Sequence, residues 1–255
     1  MSTGIVRWSR NLGSIDAWTA ACLFSGSVPN PNCPPKPGSD SDFGQAPILK
    51  INLKYKFGGK NRDQLFVGQK SGVAYGFDAE TGTVIWSTQV SPASYLGGML
   101  FGSAADDRYL YISNNNADSL SYTLPDGTTT TKASWSALDL VTGDIRWTTV
   151  DPTTSVTQTS AYFALTVWDQ LVLVQGGSSP YPSSNPSKGC LYGLNKKNGQ
   201  VLYEKCIKNT PLGSGASVAK NTIYVGVGYN ISRVATDGVL ALKLPQKPLG
   251  FKTYW

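Results

Sequence analysis

The 255-residue chain contains no histidine, and this limits the chemistry that its side chains can perform. Without an imidazole, the usual Ser-His-Asp and Cys-His triads, HExxH zinc sites and CxxCH haem attachment are excluded. Any catalysis must therefore use carboxylates, lysine, tyrosine, or a bound cofactor or metal.

The second set of reactive residues is the four cysteines. None of them stands in a CxxC pair, so the sequence gives little support for a zinc site or a redox motif. The spacings of Cys22 from Cys33 and of Cys190 from Cys206 each suit a local bridge across a loop or hairpin. Three connectivities are possible; we predict Cys22–Cys33 and Cys190–Cys206, with four buried free thiols as the alternative. Disulfides indicate an oxidising compartment, so we expect a secreted protein, or one in the periplasm or a vacuole.

Two further features bear on location. The sequon at Asn230 predicts a glycosylation site. The N-terminus MSTGIVRWSR lacks an apolar signal-peptide core, so we expect a mature form or a fragment.

Charge and hydropathy exclude two classes of partner. The net charge is +6, but the basic residues are scattered, and the longest run is Lys196-Lys197. A nucleic-acid surface would cluster them, so we predict no nucleic-acid partner. No apolar run approaches the ~18 residues of a membrane helix, so we predict no membrane span.

An internal repeat indicates the elements that must position any site. The motifs are TGIVRW at 3–8, TGTVIW at 81–86, TGDIRW at 142–147 and NGQVLY at 198–203. The segments around them alternate apolar and polar residues and break at Gly, Asn and Asp, which is typical of strands and turns. Units of four antiparallel strands at this spacing predict an all-β fold, a β-propeller with about four blades in a single domain over 1–255.

The repeated residues have predicted structural roles. Asp78, Asp139 and Asn195 are placed to accept backbone N–H groups within a turn. Gly82, Gly143 and Gly199 suit a positive φ in the same turns. The aromatic residue that ends each copy is expected to pack one blade on the next. These aromatic residues are Trp8, Trp86, Trp147 and Tyr203.

The last unit, 212–244, has three predicted strands and no obvious fourth. Either IVRW within 3–8 or the tail 251–255 is expected to complete it, because a shared blade removes the open sheet edges. The long insertions lie at about 13–45, 114–133 (with a small hairpin at PDG) and 178–189. All belong to one end of the predicted ring, so we expect a binding site there.

The copies GFDAETGTVIW and ALDLVTGDIRW resemble the docking repeats of quinoprotein propellers, the pyrroloquinoline quinone (PQQ) dehydrogenase superfamily. The stretches DSDFG, GQKSG and LGGMLFGSAADD are similar to its polyvinyl-alcohol-dehydrogenase-like branch. This resemblance implies an eight-bladed ring of about twice this length, of which the chain resembles the C-terminal half. A four-bladed ring closed by the N-terminal strand is the alternative. The half-ring implies a partner, either a homodimer or a separate half-propeller chain.

The resemblance also implies site residues. Family members hold PQQ through Ca²⁺ on the ring axis, with an aspartate as base. Lys70 in QKSG matches the lysine that contacts the quinone, and Gln69 beside it is implied in cofactor binding. Asp40 and Asp42 in DSDFG lie just ahead of a predicted strand, with Asp42 implied as the base and Asp40 in cofactor binding.

Two functions remain open from the sequence. The first is a PQQ- and Ca²⁺-dependent alcohol dehydrogenase acting on alcohols or polyols. The second is a propeller without catalysis that binds a small ligand or carbohydrate in a lectin-like manner, or acts as a scaffold. In that case Lys70 and Asp42 would be solvated turn residues.

Overall fold

A computed structural model describes residues 4–13, 16–24, 30–38, 40–94, 96–153, 159–177, 188–208, 212–228 and 238–244. Four antiparallel sheets among the described residues each form one blade, which confirms the all-β propeller prediction. Blade 1 contains β1 (Ile48–Leu53), β2 (Arg62–Gly68), β3 (Val73–Asp78) and β4 (Val84–Gln89). Blade 2 contains β5 (Ala104–Ala105), β6 (Tyr109–Asn114), β9 (Ser134–Asp139) and β10 (Ile145–Val150).

Blade 3 contains β11 (Thr166–Trp168), β12 (Leu171–Gly177), β13 (Lys188–Asn195) and β14 (Val201–Lys208). Blade 4 contains β15 (Leu212–Ala219), β16 (Thr222–Val227) and β17 (Gly238–Lys243). The insertion within blade 2 forms the expected small hairpin, β7 (Tyr122–Thr123) and β8 (Thr129–Thr130). A 3₁₀ helix over Ala20–Phe24 lies in the first insertion, and no helix of the described residues is long and apolar enough to cross a membrane.

Some predicted strands are shorter than the sequence pattern indicates. In the segment MLFGSAA only Ala104–Ala105 is a strand, because Phe101 at φ 55° and Gly102 at φ 142° turn the backbone out of the extended form. The segment IVRW was also expected to be a strand. Residues 4–10 instead have no strand partner among the described residues.

One apolar core fills each junction between consecutive blades. Phe66, Trp86, Leu110 and Leu138 are among the residues between blades 1 and 2. Trp135, Trp147, Val172 and Tyr192 belong to the core between blades 2 and 3. Leu173, Leu191, Ile223 and Val225 belong to the core between blades 3 and 4. Each central sheet is therefore buried on both faces, and the blades stabilise one another by burying apolar area.

The turn before each docking strand is built as the repeat predicts. One side-chain oxygen of Asp78 accepts the backbone N–H groups of Glu80 and Thr81, each at 3.0 Å. Asp139 and Asn195 hold the equivalent turns in blades 2 and 3. The glycine that follows has a positive φ in all three copies, between 68° and 78°.

Each repeat tryptophan docks on the turn of the next blade through its indole N–H. Trp86 donates to the Leu140 carbonyl at 2.9 Å, and Trp147 donates to the Lys196 carbonyl at 3.1 Å. Trp8 donates to the Ala79 carbonyl of blade 1 at 3.0 Å. The N-terminal segment therefore sits on blade 1 as the fourth strand of a preceding blade would. Tyr203 packs in the core between blades 3 and 4.

The cysteine pairing is the predicted one. Cys22 is bonded to Cys33 within the first insertion. Cys190 and Cys206 are bonded across β13 and β14, where they are direct register partners. Two disulfides indicate a non-reducing compartment. Asn230, the tail 251–255 and most of the insertion 178–189 lie outside the described residues.

Candidate functional site

A cleft of about 720 Å³ opens where the N-terminal segment meets the turn between β2 and β3. One wall is residues 10–13 with Asp16 and Trp18, and the other is residues 40–43 with Gln69. The cleft lies at the end of the blade that the insertions occupy, where a binding site is expected from the sequence. Asp40, Asp42 and Gln69 all line the cleft, and Lys70 reaches it through its ion pairs.

Lys70 joins the two aspartates of the segment DSDFG. Its Nζ lies 3.0 and 3.1 Å from the two carboxylate oxygens of Asp40, and 2.8 Å from Oδ1 of Asp42. The two carboxylates differ in access, because the Asp40 side chain is 8% exposed and that of Asp42 is 68% exposed. Asp40 is therefore an internal anchor for the ammonium group, whereas Asp42 is open to a ligand in the cleft.

The backbone and two glycines hold Lys70 in place. Its N–H donates to the Asp42 carbonyl at 3.0 Å, and its carbonyl accepts from Gly98 at 2.6 Å. A Cβ at Gly97 would lie 2.6 Å from Lys70 Cγ, and a Cβ at Gly44 would lie 3.1 Å from Lys70 Cε. The side chain thus runs through a slot that only residues without a Cβ leave open. Its charged end is pre-positioned at the cleft.

The electrostatics of the cluster keep Lys70 charged. Burial alone would lower its pKa, but hydrogen bonds to Asp42 and Asp40 outweigh this and raise the pKa of Lys70 above its usual value. Burial raises the pKa of Asp40, and its hydrogen bond from Lys70 only partly offsets that effect. Asp16 and Asp42 add negative charge near Asp40 in the same direction. The cleft therefore combines one fixed ammonium with an excess of carboxylate.

Gln69 holds the wall of the cleft together. The side chain is 3% exposed, and its Nε2 donates to the Leu12 carbonyl at 3.1 Å. Its Oε1 accepts from Ser71 at 2.5 Å and from the Tyr75 hydroxyl at 3.4 Å. These bonds attach the N-terminal segment to the β2–β3 turn. A role of Gln69 in cofactor binding stays a prediction.

Sequence reasoning did not single out the aromatic side chains beside the cleft. Phe43 is 40% exposed and lies 6.0 Å from Tyr75, centroid to centroid, and Tyr75 stacks on Phe77 at 5.8 Å. Phe77 in turn stacks on the docked Trp8 at 6.3 Å. The alternation of Tyr75 and Phe77 along β3 was the available signal, because a period of two places both on one face.

Asp16 also joins the site only in the folded chain. Its carboxylate accepts the backbone N–H groups of Trp18 and Ser41, so it ties the two walls of the cleft together. Asp16 and Ser41 are 25 positions apart in the sequence, so no local sequence pattern could have indicated this contact.

Asp40 and Asp42 offer carboxylate oxygens, which are the type of ligand that Ca²⁺ prefers. Within the described ranges, one group of three cysteine or acidic side chains brings its ligand atoms within 4.8 Å of one another. This group is Cys190, Glu204 and Cys206. Those cysteines are disulfide-bonded. A shell of about six to eight oxygens would therefore need ligands beyond these aspartates.

The comparisons with known proteins agree with this architecture. A family model, PQQ_2, described as outer membrane protein assembly factor BamB, matches residues 2–239. The chain belongs to this family. It is 28% identical over 242 residues to a polyvinylalcohol dehydrogenase from Sphingopyxis sp. (strain 113P3), covering 89% of this chain and 35% of the relative. It is 37% identical over 113 residues to a polyvinylalcohol dehydrogenase from Pseudomonas sp., covering 44% of this chain and 16% of the relative.

Solved structures show the same fold. Quinohemoprotein alcohol dehydrogenases from Comamonas testosteroni and Pseudomonas putida HK5 match with TM-scores of 0.52 and 0.53, each at 14% identity. Each match covers 74% of this chain and about 30% of the enzyme. The chain thus spans about a third or less of the relatives it matches. The family match and the shared fold show that it is a PQQ-like propeller.

Proposed function

We propose that this propeller carries part of the active site of a secreted, PQQ-dependent dehydrogenase that oxidises alcohols or polyols. The observation that carries the proposal is the Lys70 ammonium, which is fixed at the cleft between a buried Asp40 and an exposed Asp42. The similarity to two polyvinylalcohol dehydrogenases supports the substrate class. The two disulfides support a location outside reducing compartments.

The exposed carboxylate of Asp42 is the proposed base. An alcohol that loses hydride from its carbon must also lose its hydroxyl proton, and Asp42 accepts that proton in the cleft. PQQ, when bound, supplies the two-electron acceptor for the hydride. Asp42 offers its other carboxylate oxygen for this task, because Oδ1 is the oxygen that contacts Lys70.

Lys70 has the proposed role of orienting the quinone. An ammonium group donates to a carbonyl oxygen and stabilises negative charge that develops there. Asp40 keeps this group aligned, because both of its carboxylate oxygens contact Nζ. Phe43 and Trp18 flank the cleft with aromatic surface that suits a flat ring. With Ca²⁺, Asp40 and Asp42 would supply hard oxygen ligands.

The test is a titration of the purified chain with PQQ and Ca²⁺, followed by quinone absorbance and tryptophan fluorescence, together with alcohol-dependent reduction of a dye. We expect binding in the wild type. Asp42→Asn should retain quinone binding and lose at least about 100-fold in dye reduction, the lower end of a general-base contribution. Lys70→Met should weaken quinone binding itself.

The matched control is Asp107→Asn, because Asp107 is a fully exposed carboxylate of blade 2, paired with Lys50 of blade 1, and is not part of the cleft lining. It should leave both readouts unchanged. If the wild-type chain binds no PQQ with Ca²⁺ present, the proposal is wrong. Equal loss in Asp107→Asn and Asp42→Asn would remove the case for Asp42 as base.

A carbohydrate-binding function is the second candidate, and the exposed face of Phe43 favours it. Sugar rings pack on aromatic faces, and the carboxylates nearby would accept hydroxyl hydrogen bonds. Calorimetry with soluble oligosaccharides distinguishes the two functions. Saturable sugar binding that Phe43→Ala abolishes, with no dye reduction in the presence of PQQ, would favour the lectin-like function.

A further inference from the structure

A groove of about 450 Å³ lies at the junction of blades 1 and 2. Its walls are residues 88–90 at the end of β4, residues 143–145 with Thr148 at the start of β10, and residues 123–125 at the tip of the β7–β8 hairpin. None of these residues lines the cleft, and both blades that form the groove are complete four-stranded sheets. Its volume is in the range of small-molecule sites, about 300–1,000 Å³.

Two bulky side chains of the next junction have small counterparts at this one. Between blades 2 and 3, the Trp135 ring lies 5.6 Å from the Tyr192 ring, and both side chains are fully buried. Counted from the turn residue that ends each strand, Ala74 is the counterpart of Trp135, and Ser136 is the counterpart of Tyr192. An alanine and a serine therefore leave room between blades 1 and 2 that two aromatic rings fill between blades 2 and 3.

The face of blade 2 behind the groove is polar. Asn114 Nδ2 donates to the hydroxyl oxygens of Ser134 and Ser136, each at 3.1 Å, and Ser136 shares a hydrogen bond of 2.9 Å with Thr148 of the groove. The Tyr122 hydroxyl forms a hydrogen bond of 2.7 Å with Ser134, so the hairpin lies over this face. Asn114 is fully buried, and its Oδ1 has no hydrogen-bond partner among the described residues. The network thus has bonding capacity that the protein does not use, which marks a place for a polar ligand or water.

The groove itself presents groups that accept and groups that can also donate. Thr88 donates its hydroxyl proton to the Gly143 carbonyl at 2.7 Å, so its oxygen remains an acceptor. Gln89 uses its Nε2 in bonds to two backbone carbonyls, which leaves its Oε1 as an acceptor. The Thr123 hydroxyl has no hydrogen-bond partner among the described residues, and the Thr148 hydroxyl can donate when it accepts from the network behind it. Such a set matches a ligand whose own groups both donate and accept, as hydroxyl groups do.

Charge and ring content narrow the ligand class. Asp144 is the ionisable residue in the described lining, and its carboxylate accepts from Thr142 at 2.7 Å and lies 3.9 Å from Arg146. No aromatic side chain is among the groove-lining residues that the structure describes, whereas Leu124 and Ile145 supply aliphatic surface. Sugar rings pack on aromatic faces. The lining therefore favours an uncharged aliphatic chain with hydroxyl groups over an ion or a sugar ring.

We propose that this groove binds a segment of a linear polyol, an aliphatic chain that bears hydroxyl groups. Hydroxyl groups of the chain donate to Thr88 and Gln89 and accept from Thr123 and Thr148, and its methylene groups pack on Leu124. The proposal extends the function proposed above, because a polyol belongs to the substrate class proposed there. The binding itself requires no quinone and no residue of the cleft.

One turn links the groove to the cleft. Nε2 of Gln89 in the groove donates to the Ser71 carbonyl at 3.1 Å, and the Ser71 hydroxyl donates to Gln69 in the cleft wall at 2.5 Å. The β2–β3 turn, which carries Lys70, is thus in contact with both sites. A long chain held in the groove therefore has a raised local concentration at the cleft.

The test is calorimetric titration of the purified chain with a polyvinyl alcohol oligomer, in the absence of PQQ and Ca²⁺. The control ligand is polyethylene glycol of the same length, whose ether oxygens accept hydrogen bonds but cannot donate them. We expect saturable binding of the polyol and none of the polyether. Soluble oligosaccharides form a third arm, and tighter binding of these than of the polyol would overturn the choice of an aliphatic ligand.

Thr123→Val and Thr148→Val each remove one hydroxyl and nearly keep the shape of the side chain. Each should weaken polyol binding by about fivefold, the usual effect of one lost hydrogen bond. The matched control is Thr131→Val, at an exposed threonine between β8 and β9 that does not line the groove, and it should have no effect. Circular dichroism checks the fold of each variant. Thr123 is exposed on the hairpin, so its variant gives the answer even if Thr148→Val does not fold.

Lys70→Met distinguishes this proposal from the function proposed for the cleft. Without quinone, this variant should bind the polyol as the wild type does. Loss of binding in Lys70→Met, with wild-type binding in Thr123→Val, would place the chain in the cleft and overturn the groove as its site. A wild-type chain that binds no polyol would also refute the proposal, and the titration with PQQ would still decide the proposed function.

Discussion

Replacing Trp86 with phenylalanine should measure how strongly one blade is docked on the next. Trp86 is 4% exposed, and its indole N–H donates to the buried Leu140 carbonyl at 2.9 Å. Its ring lies over Gly143, where a Cβ would come within 2.6 Å. Phenylalanine keeps an aromatic ring in this position but removes the donor and part of the ring volume.

The expected loss has two parts. A buried carbonyl left without its donor costs about 1–3 kcal/mol. Removing roughly 35 Å³ of side chain at about 24 cal/mol per Å³ adds about 1 kcal/mol. Together the free energy of unfolding should fall by about 2–4 kcal/mol. With an m-value of about 3 kcal/mol/M in urea for a chain of this size, the midpoint should move by about 1 M.

The assay is urea unfolding of Trp86→Phe followed by far-ultraviolet circular dichroism. Trp147→Phe makes the same change at the next junction, where the bond to the Lys196 carbonyl is 3.1 Å, so its loss should agree within about 1 kcal/mol. The control Leu120→Ala, at an exposed position, should change stability by less than about 0.5 kcal/mol. A loss below about 0.5 kcal/mol in Trp86→Phe would refute the docking argument.

Three further predictions concern the blade hairpins. Burial would raise the pKa of Asp139, but hydrogen bonds from Arg146 and the turn backbone outweigh this effect and lower the pKa. The ionised Asp139 therefore stabilises the folded protein above pH 3.8, and this contribution is lost as the pH falls below that value. Asp139→Asn should therefore destabilise the protein at pH 6 more than at pH 3 in urea unfolding, whereas Asn195→Ala, at the uncharged equivalent turn, should show no such difference. Replacing both Cys190 and Cys206 with alanine should lower the free energy of unfolding by about 3 kcal/mol, because the disulfide constrains a loop with a sequence separation of 16 in the unfolded chain. An unchanged thermal midpoint would contradict this prediction. Gly199→Ala should cost more than about 1 kcal/mol, since φ is 74° and its Cβ would lie 2.6 Å from the Trp147 ring; a stability equal to wild type would show that the turn relaxes freely.

Much of the fold follows from local patterns. The alternation of apolar residues and the turn signals are short-range features, so the order of the strands and the hairpin turns at Asp78, Asp139 and Asn195 could be predicted. The Cys190–Cys206 bond could be predicted because both residues lie in one hairpin. The length of β5 could not, because Phe101 and Gly102 adopt positive φ values that depend on how the loop packs.

In the candidate site, too, some features follow from the sequence and others depend on the tertiary structure. The sequence by itself determined that chemistry here lacks histidine, that Asp40, Asp42 and Lys70 are the groups to consider, and that they lie at the elaborated end of the blade. Only the tertiary structure decided their roles, because access depends on neighbours distant in the chain. Gly44 and Gly97 form the slot for Lys70, and burial makes Asp40 an anchor while Asp42 stays exposed.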